Sequence, residues 1–237
     1  MLQQVNLKNV LVLDVETVPQ YASATEIPSN LLELWAHKTR FMRKEGETPE
    51  EYYPKAGIFA EFGKIVCISF GIYIKRQGNW TFRIKSIARH DEKEILLQFI
   101  EIIKKQPAHV VLCAHNGKEF DFPYLCRRML INGVEIPACL QIAGKKPWEI
   151  NHLDTMELWK FGDYKNYTSL HLLATIFGIP SPKEDMEGSD VHWVYWKDQD
   201  LQRIQSYCQK DVLTTAQLLL RFKGLPTIPD EAVSIVP

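Results

Sequence analysis

What this 237-residue chain lacks narrows its function before any motif is read. It has no excess of either charge: 28 Lys and Arg stand against 29 Asp and Glu, for a net −1. The molecule as a whole therefore does not attract nucleic acid or anionic membrane, and any polyanion it binds must be held by a local patch or a bound metal. No stretch approaches the roughly eighteen consecutive apolar residues of a membrane span, and no basic N-terminal segment leads into an apolar run of signal-peptide length. The expectation is a soluble, cytoplasmic protein with no membrane partner. Paired cysteines are missing as well. Cys67, Cys113, Cys126, Cys139 and Cys208 are scattered, odd in number and without a C-x-x-C, which reads as core residues in a reducing compartment. No G-x-G-x-x-G follows a strand-like segment, so dinucleotide binding has no support.

The hydrophobic content of 46% is ample for a packed core, and one α/β domain over 1–237 with a helical insertion at about 20–63 is the economical organisation. In the insertion, Ser29 is placed to cap a helix carrying Leu31, Leu32, Leu34 and Trp35, and Thr48-Pro49-Glu50-Glu51 has the start signature of another. Between them runs HKTRFMRK, read either as a solvated face or as a basic strip along a phosphate backbone. In the second case Tyr52, Tyr53, Phe59 and Phe62 would be stacking residues. Residues 64–75 and WTFRIKSIA form a hairpin turned at Gly78-Asn79. Asp91 opens an amphipathic helix, and HVVLCAHN at 109–116 is the next buried strand. Strand, strand, strand, helix, strand resembles the ribonuclease H-like fold, a mixed central sheet flanked by helices.

Three constellations carry chemistry. In LVLDVETVP, Val10 to Leu13 run into Asp14-Val15-Glu16, and strand alternation puts both acids on one face. Two carboxylates so close call for a proton or a cation, and a hard divalent ion is the natural occupant; alternatively the strand ends at Leu13 and both are solvated. In NGKEFDFP, Asp121 either N-caps the following helix or reaches from a loop towards Asp14 and Glu16. Arg127 and Arg128 on that helix read as surface charges. In the last helix, started by Asp198 or Asp200, Tyr207 and Asp211 are four apart and share a side. Asp154 in HLDTM reads as a helix cap and is left out of the first set of ligands. Thr168 or Ser169 caps a helix whose apolar residues are Leu170, Leu172, Leu173, Ile176 and Phe177. SPKEDMEGSD reads as a mobile loop that brings Lys183 towards substrate, and Lys145-Lys146 is a second small basic cluster.

LDVET, HNGKEFD and YCQKD, in that order, resemble the three motifs of the DEDD superfamily of 3′–5′ exonucleases, tyrosine subclass. Within it the chain is similar to stand-alone predicted exonucleases related to the proofreading domain of family B DNA polymerases. The resemblance implies that Asp14, Glu16, Asp121 and Asp211 hold two divalent cations, Mg²⁺ or Mn²⁺. It makes Tyr207 the residue that orients the attacking water; the histidine subclass would need His where Ser206 stands. It implies Thr17, Asn116 and Phe120 as substrate contacts. The substrate it implies is the 3′ end of DNA, single-stranded or frayed, with nucleoside 5′-monophosphates as products. Alternatives are the same chemistry on RNA, or a catalytically silent nucleic-acid-binding module. No polymerase domain fits in the remaining length, so a polymerase or repair partner would act in trans.

Overall fold

Period-two alternation in strand β1 (Val10–Pro19) decides what lies on each side of the central sheet. Leu11, Leu13 and Val15 point to one face, Val10, Val12, Asp14, Glu16 and Val18 to the other. The computed structural model describes residues 2–163, 165, 167–180 and 186–236. On the first face β1 packs with Ile68 and Phe70 of β2 (Gly63–Arg76) against α3 (Glu92–Lys104) and α4 (Asp121–Ile131), whose Phe99, Leu125 and Met129 are fully buried. On the second face Val10 and Val12 meet Val212, Ala216 and Leu219 of α8 (Leu201–Phe222). Each such aliphatic side chain contributes roughly 1.5–3 kcal/mol on burial. The side of β1 that carries the two acids is thus the side that α8 covers.

The six strands lie in the order β5-β4-β1-β2-β3-β6. β1, β2 and β3 (Asn79–Ala88) are an antiparallel meander, and β4 (Val111–Ala114) returns parallel to β1 after α3. β5 (Leu153–Asp154) extends that side, and β6 (Val233–Val236) pairs parallel to the outer edge of β3 at Phe82 to Lys85. This is a ribonuclease H-like mixed sheet with helices on both faces, as expected. β6 was not foreseen. The β2–β3 turn also differs by one residue: Gln77 and Gly78 take positive φ, while Asn79 already pairs with Arg76.

The insertion folds as a small unit around one ring. α1 (Ser29–Thr39) and α2 (Pro49–Tyr52) form, and Thr48 makes a reciprocal capping box with Glu51. Ser29 is the first helical residue, and the cap position is Pro28. Trp35 is fully buried, stacked on Tyr52 and met edge-on by Tyr53, Phe59 and Phe62, and its indole donates to the Pro49 carbonyl at 2.8 Å. The four aromatics considered for stacking on substrate are therefore the core of the insertion, held by contacts worth roughly 0.5–1.5 kcal/mol per pair. The basic run is partly used inside the same unit. Lys38 pairs with Glu61 at 3.0 Å, and Arg43 donates to the carbonyls of Ala36 and Glu47.

Two further expectations are corrected. Arg128 is buried: its Nε donates to Glu92 Oε1 at 2.8 Å, its Nη2 to Oε2 at 2.5 Å, and its Nη1 to the Ala60 carbonyl at 2.7 Å. Asn132 completes the second Glu92 oxygen. In α6 (Leu170–Ile176), capped by Ser169, only Leu173 and Ala174 are buried, because the helix touches α8 along one narrow line; Leu172 and Ile176 face outward. Lys183 lies outside the described residues. Met186 is buried against β1 and β2, and the following residues build a helix not foreseen from the sequence, α7 (Val191–Trp196).

Candidate active site

Asp14 and Glu16 leave β1 on its α8 side, where the ladder to β2 carries an irregularity between Glu16 and Thr17. Glu16 is 7% exposed. Loss of solvent pushes Asp14 up from 3.8 to about 6, despite hydrogen bonds from Cys208 and Glu16. Glu16 is raised well above its usual value by burial first, then by the charges of Asp14, Asp211, Cys67 and Asp121.

Asp121 stands at the first position of α4, and Phe120 occupies the cap position without a side-chain cap bond. The backbone N–H groups of Asp121 and Val15 favour the charged form of the Asp121 carboxyl group. Burial and the Asp14 charge raise it well above the carboxylate range. The loop before it is shaped from a distance. Asp154 caps α5 (Thr155–Lys160) through Met156 and Glu157, and also accepts the backbone N–H groups of Asn116 (2.9 Å) and Lys118 (3.0 Å). His115 is held between Thr155 Oγ1 and the Thr168 carbonyl. Asn116 takes φ +63°, a conformation Asn tolerates better than most residues, and its Oδ1 is buried without a partner.

From α8, Tyr207 and Asp211 face these acids. The Tyr207 hydroxyl donates to Asp211, and burial followed by the charges of Asp211, Glu16 and Asp14 pushes the phenol far above its ordinary 10. Cys208 lies beneath, its thiol donating to the Asp14 carbonyl at 3.4 Å. The ligand atoms of Asp14, Glu16 and Cys208 fall within 4.8 Å of one another. Burial raises the Cys208 thiol strongly, so it stays protonated and soft, unsuited to a hard cation. The carboxylates do suit one. Asp14 Oδ2 is buried with no hydrogen-bond partner, and the surrounding donors are oxygens that repel without positive charge. These residues fit a hard divalent cation.

A cavity of about 610 Å³ opens beside the cluster, within the roughly 300–1,000 Å³ usual for ligand sites. Glu16, Thr17 and Phe120 line it, with Ile58 from the insertion and His192 and Trp193 from α7. The Tyr124 hydroxyl donates to the Gly57 carbonyl at 2.7 Å and so anchors the insertion at the site. The contribution of α7 and the tether from Asp154 had no counterpart in the sequence reading. The only local signal for α7 was its aromatic density, VHWVYW.

Comparison with known proteins gives one family and several distant relatives. Residues 58–230 match the family described as predicted 3′–5′ exonuclease related to the exonuclease domain of PolB. That span includes Asp121, Tyr207 and Asp211, while β1 lies before it. The chain is 25% identical over 210 residues to a DNA polymerase of Pyrococcus horikoshii, covering 76% of this chain and 16% of that protein. It is 25% identical over 187 residues to one of Thermococcus gorgonarius (71% and 23%) and 22% over 143 residues to one of Pyrococcus glycovorans (54% and 18%). The chain thus spans less than a quarter of the length of these relatives.

Proposed function

Because the chain belongs to the family of predicted 3′–5′ exonucleases related to the exonuclease domain of PolB, and is thereby a phosphodiester hydrolase acting on nucleic acid, we propose how this site does the work. Asp14, Glu16, Asp121 and Asp211 are the catalytic carboxylates and hold two divalent cations, Mg²⁺ or Mn²⁺. The observation that carries this reading is the convergence of four acids from β1, α4 and α8, with burial raising Asp14, Glu16 and Asp121 and neighbouring carboxylates adding to the last two, around a buried Asp14 oxygen that nothing satisfies. Bound there, such cations would make water nucleophilic at neutral pH and stabilise charge on the leaving 3′ oxygen.

The chain's own groups have separable roles. Tyr207 cannot serve as a general base near neutral pH, since its surroundings keep the phenol protonated. With its hydroxyl proton directed at Asp211, its oxygen can accept a hydrogen bond from water, so it orients the attacking water. Asp121 stands at the first position of α4, and the Asp154 tether holds the loop that presents Asn116. The cavity takes the 3′-terminal nucleotide, with Thr17 and Phe120 against it and Asn116 in support. The substrate is the 3′ end of DNA, single-stranded or frayed, and the products are nucleoside 5′-monophosphates. The likeness to DNA polymerases supports DNA over RNA.

The test uses matched DNA and RNA oligonucleotides labelled at the 5′ end, with Mg²⁺, Mn²⁺ or EDTA. DNA should shorten one nucleotide at a time, EDTA should abolish the reaction, and either cation should raise the melting temperature. Hydrolysis undiminished in excess chelator would remove the metals, and faster loss of RNA would reverse the substrate. Folded, metal-loaded protein that cuts neither would be a binding module.

A further inference from the structure

The cavity beside the carboxylates has polar groups that the exonuclease chemistry does not use, Lys55, Ser189 and His192 among them. His192 of α7 lines the cavity, is 6% exposed, and its Nδ1 is buried without a hydrogen-bond partner. Burial alone lowers its pKa, with no neighbouring charge contributing, so the ring is neutral and offers one donor and one acceptor. A buried polar atom of this kind is unfavourable until a ligand completes it. The next residue, Trp193, is half exposed on the same cavity, with its indole packed edge-on to the imidazole at 4.6 Å. Across from α7 the insertion offers an exposed Ile58. The lysine on the rim, Lys55, holds its ammonium over the Tyr52 ring at 4.3 Å.

These features describe the ligand. A neutral imidazole without a partnering cation is not a phosphate site, and a cavity with apolar and indole walls favours a flat aromatic body. The imidazole in the cavity wall favours a body with a polar edge. A nucleobase has both. Resting on the exonuclease reading above, we infer that His192 reads the edge of the 3′-terminal base while Trp193 packs against its face. His192 is then a specificity-determining residue. A base that can pair with the nitrogen is removed faster than one that leaves it unpaired, by roughly tenfold for a single neutral hydrogen bond.

The experiment has two arms. In the first, calorimetry with Mg²⁺ present measures binding of the four deoxynucleoside 5′-monophosphates, of AMP against dAMP, and of deoxyribose 5-phosphate, which has no base. In the second, single-turnover hydrolysis is followed on 5′-labelled oligonucleotides ending in each of the four nucleotides or in an abasic residue. Wild-type protein should bind at least one monophosphate about tenfold more tightly than deoxyribose 5-phosphate and should show the same base ranking in hydrolysis. His192→Ala should flatten both rankings, with a larger loss on the preferred base than on the abasic end. Trp193→Ala, at an exposed position, should weaken all four bases while keeping their order.

Equal slowing of His192→Ala on base-bearing and abasic ends would make the residue structural and overturn the inference. So would a change confined to the AMP/dAMP ratio, which would assign the nitrogen to the ribose. If His192→Ala does not fold, His192→Asn keeps a polar edge and should show an altered ranking; an unchanged one refutes the role. Monophosphate binding needs no hydrolysis. A protein that cleaves nothing yet ranks the bases would fail the exonuclease reading alone, and one that cleaves without ranking them would fail this inference alone.

Discussion

Two places in this fold bury several charged groups together, and they are built in opposite ways. Between α3 and α4, the Arg128 guanidinium meets both oxygens of Glu92, an Asn132 amide and the Ala60 carbonyl, so that every charge has a partner. Between β1, α4 and α8, four acids share one space, burial raises Asp14, Glu16 and Asp121 together, and one Asp14 oxygen has no hydrogen-bond partner. Burying charge costs several kcal/mol per ion in either place. In the first the protein supplies the compensation itself and gains a fixed joint. In the second the buried Asp14 oxygen is left open, as the proposed cation site requires.

The sharpest way to break that contrast is to remove one member from each cluster. Asp14→Ala should lower turnover by roughly 10³-fold or more, the scale of losing a group on which the chemical step depends. It also removes a repelling charge, so the metal-free melting temperature should hold or rise. A folded variant with near-normal turnover would take Asp14 out of the site. Arg128→Ala should do the reverse. It leaves Glu92 buried and unpaired, at about 3–5 kcal/mol, read as a lower urea midpoint at constant m, with turnover per folded molecule retained. A variant of unchanged stability would show that the joint holds nothing.

Next in size is the distinction inside the acidic cluster. Tyr207→Phe keeps the ring and loses the hydroxyl, so the chemical step should slow by about 10²-fold while Mn²⁺ affinity stays constant. Asp211→Asn replaces an anionic ligand by an amide and should weaken Mn²⁺ binding. Equal loss of affinity in both variants would contradict a water-orienting phenol. The smallest effect is on pH dependence. Asp14 titrates near pH 6 in the folded protein and at its ordinary 3.8 in the unfolded chain, so the folded state binds the extra proton between those values. In EDTA, stability contributed by this group is complete below about pH 4 and is lost as pH rises through 6. Melting temperatures at pH 5 and 7 should therefore differ in that direction, and Mg²⁺ should shrink the difference. A metal-free protein that is no less stable at pH 7 would count against burial of the Asp14 charge as a cost to folding.

The contrast also shows what could be read from the chain. Asp14 with Glu16, and Tyr207 with Asp211, are pairs set by local geometry, two apart on a strand and four apart on a helix. Their shared faces follow from the sequence alone. Arg128 could not be read this way, because Arg127 and Arg128 look alike locally. The helix phase and the distant Glu92 decide which one is buried. Asp154 was legible as a cap, but its bonds to Asn116 and Lys118 span 38 and 36 residues. The aromatics of the insertion allowed two readings until Trp35 collected them into its own core, and the short helix bearing His192 has too few turns to show a period.

The pairing of β6 with β3 bears on solubility in the test tube. β3 is the outer strand of the meander, and along Phe82 to Lys85 its outward N–H and C=O groups are taken by Val233 to Val236. Cut the chain before Val233, and that edge becomes an open template ready to accept a strand from another molecule. Such a fragment would keep the acids and α8 intact and yet self-associate as its concentration rises, so the last strand acts as a guard against aggregation.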